Sequence, residues 1–528
     1  MSTTTVSSAH AHPPAADKPE WVKWLTTTDH KKIGIMYLVT AFVLFMVGGL
    51  FALLVRAQLI VPQSNFLSGN QYNQMVTMHA TVMIFMAIIP LLVGFSNFAV
   101  PLLIGARDVA FPRINAIAFW LLPLGAVLMF ASFFVPGGAA GGGWTQYPPL
   151  SGPGYSGAGV DFWILGLHVL GVSSIMGGLN FIVTILNMRA PGMTLHKMPL
   201  LCWTVLVQSW LQVIATPVLA GVLTMLLFDR NFGTSFFRPE QGGDPLLWQH
   251  LFWFYSHPAV YIMILPAFGI ISEILPVFSG KPIFGYLAIA YSSVAIGVLG
   301  FVVWAHHMFA TGLPASIRTV FMFLTMLIAV PTGVKVFSWV GTLWGGNIRF
   351  TVASLYAIAF VAFFLIGGLS GLFLASIPVD LQLTHTYFVV AHIHYVLFAG
   401  SMLGIFAGLY YWFPKMTGRM LDETWGKVHF WITITSMNLT FFPMHVLGIM
   451  GMPRRYYQYL PQFADLNFIE SVSSFVLGVA QFIFIANVIY SWRKGVKAPD
   501  DPWGGKTLEW TISSPPPAHN FDEIPSLR

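Results

Sequence analysis

The chain has 528 residues, of which 56% are hydrophobic and only 8% charged, and its formal net charge is +6. Soluble domains carry about 25% charged residues, so this composition excludes a water-soluble fold and places the chain in a lipid bilayer. The single cysteine, Cys202, excludes an internal disulfide and any cysteine-rich metal cluster. Because the basic residues form no patch with interleaved aromatic residues, no nucleic-acid partner is expected.

Twelve apolar runs are each long enough to cross the hydrocarbon layer, which takes about 20 helical residues. A membrane β-barrel would show short alternating segments instead, so helices are expected throughout. The sequence therefore predicts an all-α membrane protein, a twelve-transmembrane-helix bundle (29–495) between an N-terminal tail (1–28) and a C-terminal tail (496–528). The runs lie near residues 34–59, 75–104, 114–136, 160–188, 201–228, 248–276, 283–308, 318–345, 350–377, 385–413, 427–451 and 468–492.

The positive charges predict the orientation of this bundle. An even number of spans places both termini on one side, and the tails and loops of that side hold eighteen of the 25 lysines and arginines. The opposite side holds six, and Lys335 lies inside the eighth run. Because lysine and arginine are enriched in cytoplasmic loops, both termini are expected in the cytoplasm.

Six histidines lie within or at the ends of four runs, and the alternating direction of the helices places all of them toward the outer face. A single membrane histidine is as often a hydrogen-bonded packing residue as a ligand, but six at one depth favour function, because polar residues in hydrocarbon are costly. Imidazole suits iron, copper and zinc, so the sequence predicts a layer of metals. The six are His79, His257, His306, His307, His392 and His394.

The spacing of these histidines indicates which of them can bind the same metal ion. Residues two apart on a helix point about 200° apart, so His392 and His394 cannot share one metal. His306 and His307 are about 100° apart on a helix and can converge on one ion if their rings bend inward. Tyr261 lies four residues after His257 and therefore on the same helix face, where a phenol offers a proton and an electron. An ordinary tyrosine anchor is the alternative.

The chain resembles subunit I of the heme–copper oxidases over nearly its whole length. The resemblance is carried, in chain order, by MHATVMIF (78–85), IGARDVAFPRIN (104–115), GWTQYPPLSG (143–152), QHLFWFYSHPAVY (249–261), VVWAHHMF (302–309), PTGVKVFSW (331–339), YFVVAHIHYV (387–396), GMPRRY (451–456) and LEWTISSPPP (508–517).

The resemblance implies two hemes and one copper ion. By it, His79 and His394 ligate a low-spin heme and His392 is the axial ligand of a high-spin heme. The copper ligands are then His257, His306 and His307, with Tyr261 covalently bonded to His257.

Three arginines complete the cofactor sites that the resemblance implies. Arg454 and Arg455 are expected to bind heme propionates, since arginine pairs with carboxylates through two parallel hydrogen bonds; two loop arginines are otherwise usually solvated charges. Arg56 resembles the residue that contacts the formyl group of an A-type heme, which favours heme A.

Two proton pathways are also implied. The first resembles the lysine pathway that leads from the cytoplasm toward Tyr261; a lysine that snorkels to the membrane surface is the alternative. Its residues are Lys335, Thr332, Ser338, Ser272 and Glu273. The second resembles the aspartate-gated pathway, although a lone loop aspartate is usually a surface charge. Its residues are Asp108, Asn97, Asn115, Ser173 and Ser174.

The chain departs from the family pattern at two places. Many members carry a glutamate where this chain has Ala259, and Tyr255 and Ser256 resemble the pair that replaces this glutamate in one subgroup. Many members also have a magnesium-binding His-Asp pair where this chain has Thr384 and His385, so a standard Mg²⁺ site is doubtful.

The expected function is that of a proton-pumping terminal oxidase that reduces O₂ to water in a bacterial plasma (inner) membrane, with cytochrome c as the expected donor. A quinol oxidase of the same family and a metal-free twelve-span transporter are the alternatives. Since Cys202 alone cannot build a dinuclear copper centre, a separate subunit II is expected to carry the site where electrons enter, beside subunit III-like partners.

Overall fold

The structure is a computed structural model that describes residues 19–527 as helices joined by loops, with no β-strand in that range. Eleven helices within those residues are long and apolar enough to cross a membrane, which confirms the all-helical membrane fold. They are α1 (His30–Gln58), α2 (Gly69–Ile104), α3 (Pro112–Phe134), α4 (Gly159–Asn187), α5 (Leu200–Asn231), α6 (Pro245–Ser279), α8 (Ala315–Leu343), α9 (Val352–Ala375), α10 (Tyr387–Thr417), α11 (Glu423–Ile449) and α12 (Pro461–Lys494). Most of the predicted N-terminal tail lies outside the described residues.

The predicted seventh span differs most from the structure. Helix α7 (Tyr286–Gly300) has only 15 residues, about 22 Å of helix, whereas the prediction ran over 283–308. After Gly300 the chain continues into a 3-10 turn over Trp304–Met308. The apolar run continues through this turn, so hydropathy cannot detect where the α-helix ends.

The helix ends follow local sequence signals. The side chain of Asp29 accepts a hydrogen bond from Lys31 N at 2.9 Å and caps α1. A capping box formed by Ser68 and Gln71 begins α2. The left-handed Gly280 ends α6.

Two of the long helices contain π-helical turns. In α2 the turn covers Val82–Ile88, three residues after His79, and in α10 it covers Leu397–Met402, three residues after His394. Such turns occur mainly at functional sites. Both helices that carry the proposed low-spin heme ligands are therefore locally widened just beyond the histidine.

The segment predicted as a C-terminal tail is packed against the inner ends of the helices. Lys415 Nζ, at the end of α10, donates to Ile512 O at 2.7 Å. Asn520 is fully buried and its Nδ2 donates to Ala106 O at 2.8 Å. The segment therefore forms part of the folded domain.

Candidate metal centre

A single cavity of about 1510 Å³ opens between the helices and holds the predicted metal ligands. Pockets for drug-sized ligands measure about 300–1,000 Å³, so this cavity has room for more than one large planar cofactor. Its wall includes all six histidines of the outer layer together with Tyr261, Thr332, Arg56, Arg454 and Arg455.

His79 and His394 face each other across this cavity. Their rings are parallel to within 7° and their centroids lie 6.2 Å apart. His79 Nδ1 donates to Gly48 O at 2.9 Å, and His394 Nδ1 donates to Val390 O at 2.8 Å. These bonds leave both Nε2 lone pairs for a metal. With metal–nitrogen bonds of about 2.0 Å, the spacing suits one ion held between the two rings.

His392 lies on the same helix as His394 but packs against a different neighbour. Its Nδ1 donates to Gly367 O on α9 at 2.9 Å, which again leaves Nε2 for a metal. A side chain at Gly371 would contact the ring, because an added Cβ would lie 2.9 Å from His392 Cε1. The glycine therefore provides space for this imidazole.

His257, His306 and His307 form a second cluster beside this ring. Their ligand nitrogens all lie within 4.8 Å of one another. Within residues 19–527, no other group of three or more histidine, cysteine or carboxylate side chains converges in this way. His307 Nε2 is 3.4 Å from His257 Nδ1 and 3.1 Å from His306 Nε2. Three imidazole nitrogens that converge in this way need a cation or a proton among them.

Neighbouring side chains hold these rings in place. His306 Nδ1 donates to Thr325 Oγ1 at 3.0 Å. The ring of His307 stacks on Trp253 at a centroid distance of 3.8 Å, and Trp253 Nε1 donates to Tyr147 Oη at 2.6 Å. Partners of this kind orient metal ligands and fix their tautomers.

Tyr261 lies against His257, with ring centroids 4.8 Å apart. His257 Nε2 is buried and has no hydrogen-bond partner in the described chain. The nitrogen that faces away from the cluster is thus available to a further group. The predicted pairing of these two residues on one helix face matches their placement in the structure.

Arg454 and Arg455 lie in the loop between α11 and α12 and line the cavity. Burial and the neighbouring guanidinium of Arg455 lower the pKa of Arg454 to about 10. Burial also raises the pKa of Asp380, across from Arg454, to about 7. Two half-buried guanidinium groups side by side favour anions beside them, so this end of the cavity suits an anionic ligand.

His385 adjoins the arginine pair in place of the acidic residue common in the family. Its backbone is left-handed, with φ +64°, and its carbonyl accepts a hydrogen bond from Arg454 N at 2.8 Å. Burial and the two guanidinium groups lower the pKa of this imidazole. A neutral histidine beside two cations does not suit a magnesium site, because Mg²⁺ takes oxygen ligands.

Arg56 lies at the cavity wall and is bound to α12. Its Nη1 lies 3.1 Å from Glu470 Oε2, and its Nη2 donates to Asn467 O at 2.7 Å and to Ser471 Oγ at 2.8 Å. The sequence prediction missed Glu470, which is fully buried. A buried acid in an apolar run was the available signal.

Lys335 is completely buried in α8. Its Nζ donates to Ser293 Oγ at 2.6 Å and to Ile289 O at 2.8 Å, both on α7. One helical turn further along, Trp339 Nε1 donates to Ser272 Oγ on α6 at 2.9 Å. Ser272 therefore reaches α8 through Trp339, Thr332 bonds its own helix at Ile328 O at 3.1 Å, and the structure adds Ser293 as the direct partner of Lys335.

Asp108 lies in the loop after α2, where burial raises its pKa to about 6. Inside the bundle, Asn97 Oδ1 and Asn115 Nδ2 are buried without a partner among the residues described. Deeper still, a cavity of about 20 Å³ has room for about one water molecule. Its polar lining consists of the predicted Ser173 and Ser174 and the unpredicted Tyr37 and Gln212.

Tyr255 and Ser256 lie beyond this small cavity. The ring of Tyr255 stacks on Phe85, which lines it, at a centroid distance of 6.3 Å. Ser256 Oγ is buried and lacks a hydrogen-bond partner within residues 19–527. A buried hydroxyl of this kind is a suitable contact for water.

The comparison with known proteins begins with a protein-family model. The family described as cytochrome c and quinol oxidase polypeptide I matches residues 32–476 of the chain. The chain belongs to this family. Cytochrome c oxidase subunit 1 of Synechocystis sp. is 54% identical over 510 residues, and that of Thermostichus vulcanus is 54% identical over 508; each match covers 96% of this chain and 92% of the relative. The probable subunit 1-beta of Nocardia farcinica is 52% identical over 511 residues, covering 96% and 86%.

A solved structure also shares the fold. The cryo-EM structure of a heme–copper terminal oxidase dimer superposes with a TM-score of 0.75 at 20% identity, covering 91% of this chain and 86% of the other. These comparisons confirm the prediction of the catalytic subunit of a terminal respiratory oxidase, an oxidoreductase whose family implies hemes and copper.

Proposed function

We propose that this subunit accepts electrons from cytochrome c, reduces O₂ to water and pumps protons. The observation that carries the proposal is that three converging histidines, a separate facing pair and His392 line one cavity. When bound, two hemes and a copper ion would supply electron transfer and oxygen binding. The residues fit these groups, because their free ring nitrogens face a cavity of sufficient volume.

Each histidine has a proposed place around these cofactors. His79 and His394 would hold the low-spin heme from opposite faces, and His392 would hold the high-spin heme from one face. The copper ligands would be His257 Nδ1 with the Nε2 atoms of His306 and His307, the atoms that converge. Because α10 carries both His392 and His394, the two hemes would lie on either side of one helix.

Tyr261 is proposed as the residue that supplies a proton and an electron at the oxygen-reducing site. The unpartnered His257 Nε2 and the 4.8 Å separation of the rings support the covalent His257–Tyr261 bond that the family resemblance implies. Such a bond fixes the phenol beside the copper ligands. The hydroxyl would then be positioned to release its proton into the cavity beside these ligands.

The arginines are proposed to recognise the heme periphery. Arg454 and Arg455 would bind propionates, which supply the anions that this half-buried pair favours. Arg56 would contact the formyl group of a heme A, supported by its position at the cavity wall. The neutral His385 supports the absence of a standard Mg²⁺ site.

Protons are proposed to travel along two routes. Lys335, Thr332 and Ser272 would serve Tyr261. Asp108, Asn97, Asn115, Ser173 and Ser174 would lead to Tyr255 and Ser256, the pair that replaces the missing glutamate. The water-sized cavity, which Ser173 and Ser174 line and which Phe85 separates from Tyr255, supports this second route.

The proposed topology has twelve spans, counting the short α7, with both termini in the cytoplasm of a bacterium and the chain in its plasma membrane. The excess of lysine and arginine on the side of the termini supports this orientation. Residues 1–28 and 496–528 would be cytoplasmic, with the second segment packed on the helix ends.

The proposed partners are a subunit II that carries the site where electrons enter, subunit III-like membrane subunits and cytochrome c. The names of the relatives, cytochrome c oxidase subunit 1, support this donor. The family description also includes quinol oxidases, so quinol is the second candidate. A metal-free transporter has no support from the converging nitrogens.

The purified complex tests the proposal directly. Visible spectroscopy and metal analysis are expected to show two hemes and one copper per chain, and the pyridine adduct is expected to identify heme A. Oxygen consumption with reduced cytochrome c should exceed that with a quinol analogue. A metal-free protein would overturn the oxidase proposal, and faster consumption with quinol would replace the proposed donor.

A further inference from the structure

Two glutamates lie near each other where the C-terminal segment packs against the helix ends. Glu509 lies on a 3-10 turn (Leu508–Thr511) and is only 1% exposed. Its Oε1 accepts hydrogen bonds from Thr507 Oγ1 at 2.8 Å and Trp412 Nε1 at 3.4 Å, while its Oε2 is buried with no partner in the described chain. Glu273 on α6 accepts a bond from Leu201 N at 3.2 Å.

The two carboxyl groups lie within electrostatic reach of each other. Both act on Cys202 of α5 and Tyr411 of α10. Lys415 of α10 faces Glu509 and Tyr286 of α7 faces Glu273, while Asp501 of the C-terminal segment acts on Tyr411. Lys415 Nζ is itself bound to the carbonyl oxygens of Asp500, Ile512 and Ser513.

The ionisation of this pair is coupled. Burial is the main cause that raises the pKa of Glu509 to about 7. Two carboxylates that act on each other electrostatically disfavour the doubly ionised state, so the pair favours retention of one proton. The unpartnered Oε2 atom is the oxygen that can carry it.

One face of α7 connects this glutamate pair with Lys335 and Tyr261. Residues seven apart return to nearly the same face of a helix, and Tyr286, Ser293 and Gly300 have this spacing. Tyr286 interacts electrostatically with Glu273, and Ser293 Oγ binds Lys335 Nζ. A Cβ added at Gly300 would lie 3.0 Å from the ring of Tyr261. This face spans about 21 Å, two steps of about 10.5 Å.

We propose that Glu273 and Glu509 hold a shared proton at the inner end of the lysine pathway and deliver it along α7 toward Lys335. The proposal rests on the pathway assigned to Lys335 above. The pair takes a proton from water, releases the same proton toward Lys335 and returns to its starting charge. Glu509 would thereby make the C-terminal segment part of proton uptake.

The test uses the complete oxidase complex with its hemes bound and follows anaerobic reduction of the high-spin heme, which requires proton uptake. E273Q and E509Q are each expected to slow this reduction about tenfold at pH 8, and the double variant is expected to equal the slower single variant because one proton is shared. E509D, which keeps the carboxyl group, should restore most of the rate. E423Q is the control, since Glu423 lies at another helix end, where its carboxylate accepts a hydrogen bond from Val352 N.

The variant K335M separates this proposal from the pathway itself. If K335M slows heme reduction while E273Q and E509Q react like the unmodified oxidase, the glutamate pair is not used and the lysine pathway stands. If K335M also reacts normally, the pathway is wrong and the pair with it. Heme spectra of each variant show whether it has folded, and E273Q tests the pair even if E509Q does not fold.

Discussion

His306 and His307 are neighbours in sequence, and their Nε2 atoms lie 3.1 Å apart. In an α-helix their side chains would diverge by about 100°, and the 3-10 turn over Trp304–Met308 replaces that helix here. The two rings are also tilted 54° to one another. Consecutive side chains leave a 3-10 turn about 120° apart, so the two rings themselves bend inward to present their nitrogens to one point beside His257.

Thr325→Val should weaken copper binding. The change removes the oxygen that accepts from His306 Nδ1, and loss of such a supporting partner typically costs about 10–100-fold in metal affinity. Copper retained after dialysis against a graded chelator measures the effect. Thr319→Val is the matched control, because Thr319 is exposed and bonds only its own helix at Ala315 O. Equal copper retention in both variants would contradict the role given to Thr325.

His394→Ala and His392→Ala should remove different hemes. Because His394 faces His79 and His392 packs against α9, each variant is expected to lose one spectral component and keep the other. Reduced-minus-oxidised spectra with and without carbon monoxide distinguish them, since carbon monoxide binds the heme with an open face. If each variant lost both spectral components while the protein remained folded, the assignment of His392 and His394 to different hemes would be refuted.

Tyr255→Phe combined with Ser256→Ala should slow proton delivery. These changes remove the two hydroxyl groups next to the position of Ala259, and loss of a proton-transfer group is expected to cost about 100-fold. Oxygen consumption and acidification outside reconstituted vesicles measure turnover and pumping. Tyr291→Phe is the control, because Tyr291 is an exposed residue of α7. Normal pumping by the double variant would exclude this route.

Asp108→Asn should change the pH dependence of stability as well as pumping. The pKa of Asp108 is about 6 in the folded chain against an ordinary value of 3.8. Because the folded state favours the protonated form, the unmodified protein loses stability as pH rises from about 4 to above 6. Asparagine cannot ionise, so the variant should melt higher at pH 8 and equally at pH 3.5. Heat denaturation followed by heme absorbance measures the melting temperatures. If the variant and the unmodified protein differed in melting temperature by the same amount at both pH values, the prediction would be wrong.

The sequence was sufficient to predict most of the membrane helices and the grouping of the six histidines around one cavity, for physical reasons. Length and composition reveal apolar helices, and the alternating direction of helices gives each histidine a depth. The end of α7 at Gly300 could not be predicted, because the apolar run continues beyond it. Ser293 was also missed, since a serine in a helix gives no sign of the lysine that it contacts.

The C-terminal segment was predicted as a tail because its proline-rich composition indicates no helix. Its packing depends on long-range contacts, such as that of Asn520 Nδ2 with Ala106 O. Glu470 and Glu509 were overlooked for a similar reason. The sequence shows that an acid is present, but only the fold shows that it is buried and what faces it.

The π turn of α2 has a consequence for how the two halves of this helix are related. His79 precedes the turn and Asn97 follows it, and a π turn carries an additional residue compared with regular α-helix. Regular α-helical winding of the same residues between Val82 and Ile88 would rotate the second half of the helix by about 100° relative to the first half. His79, the proposed metal ligand, would keep its place while Asn97 turned away from its proposed pathway. The π turn absorbs the extra residue and thus sets the angle between the positions proposed for electron transfer and for proton transfer along one helix.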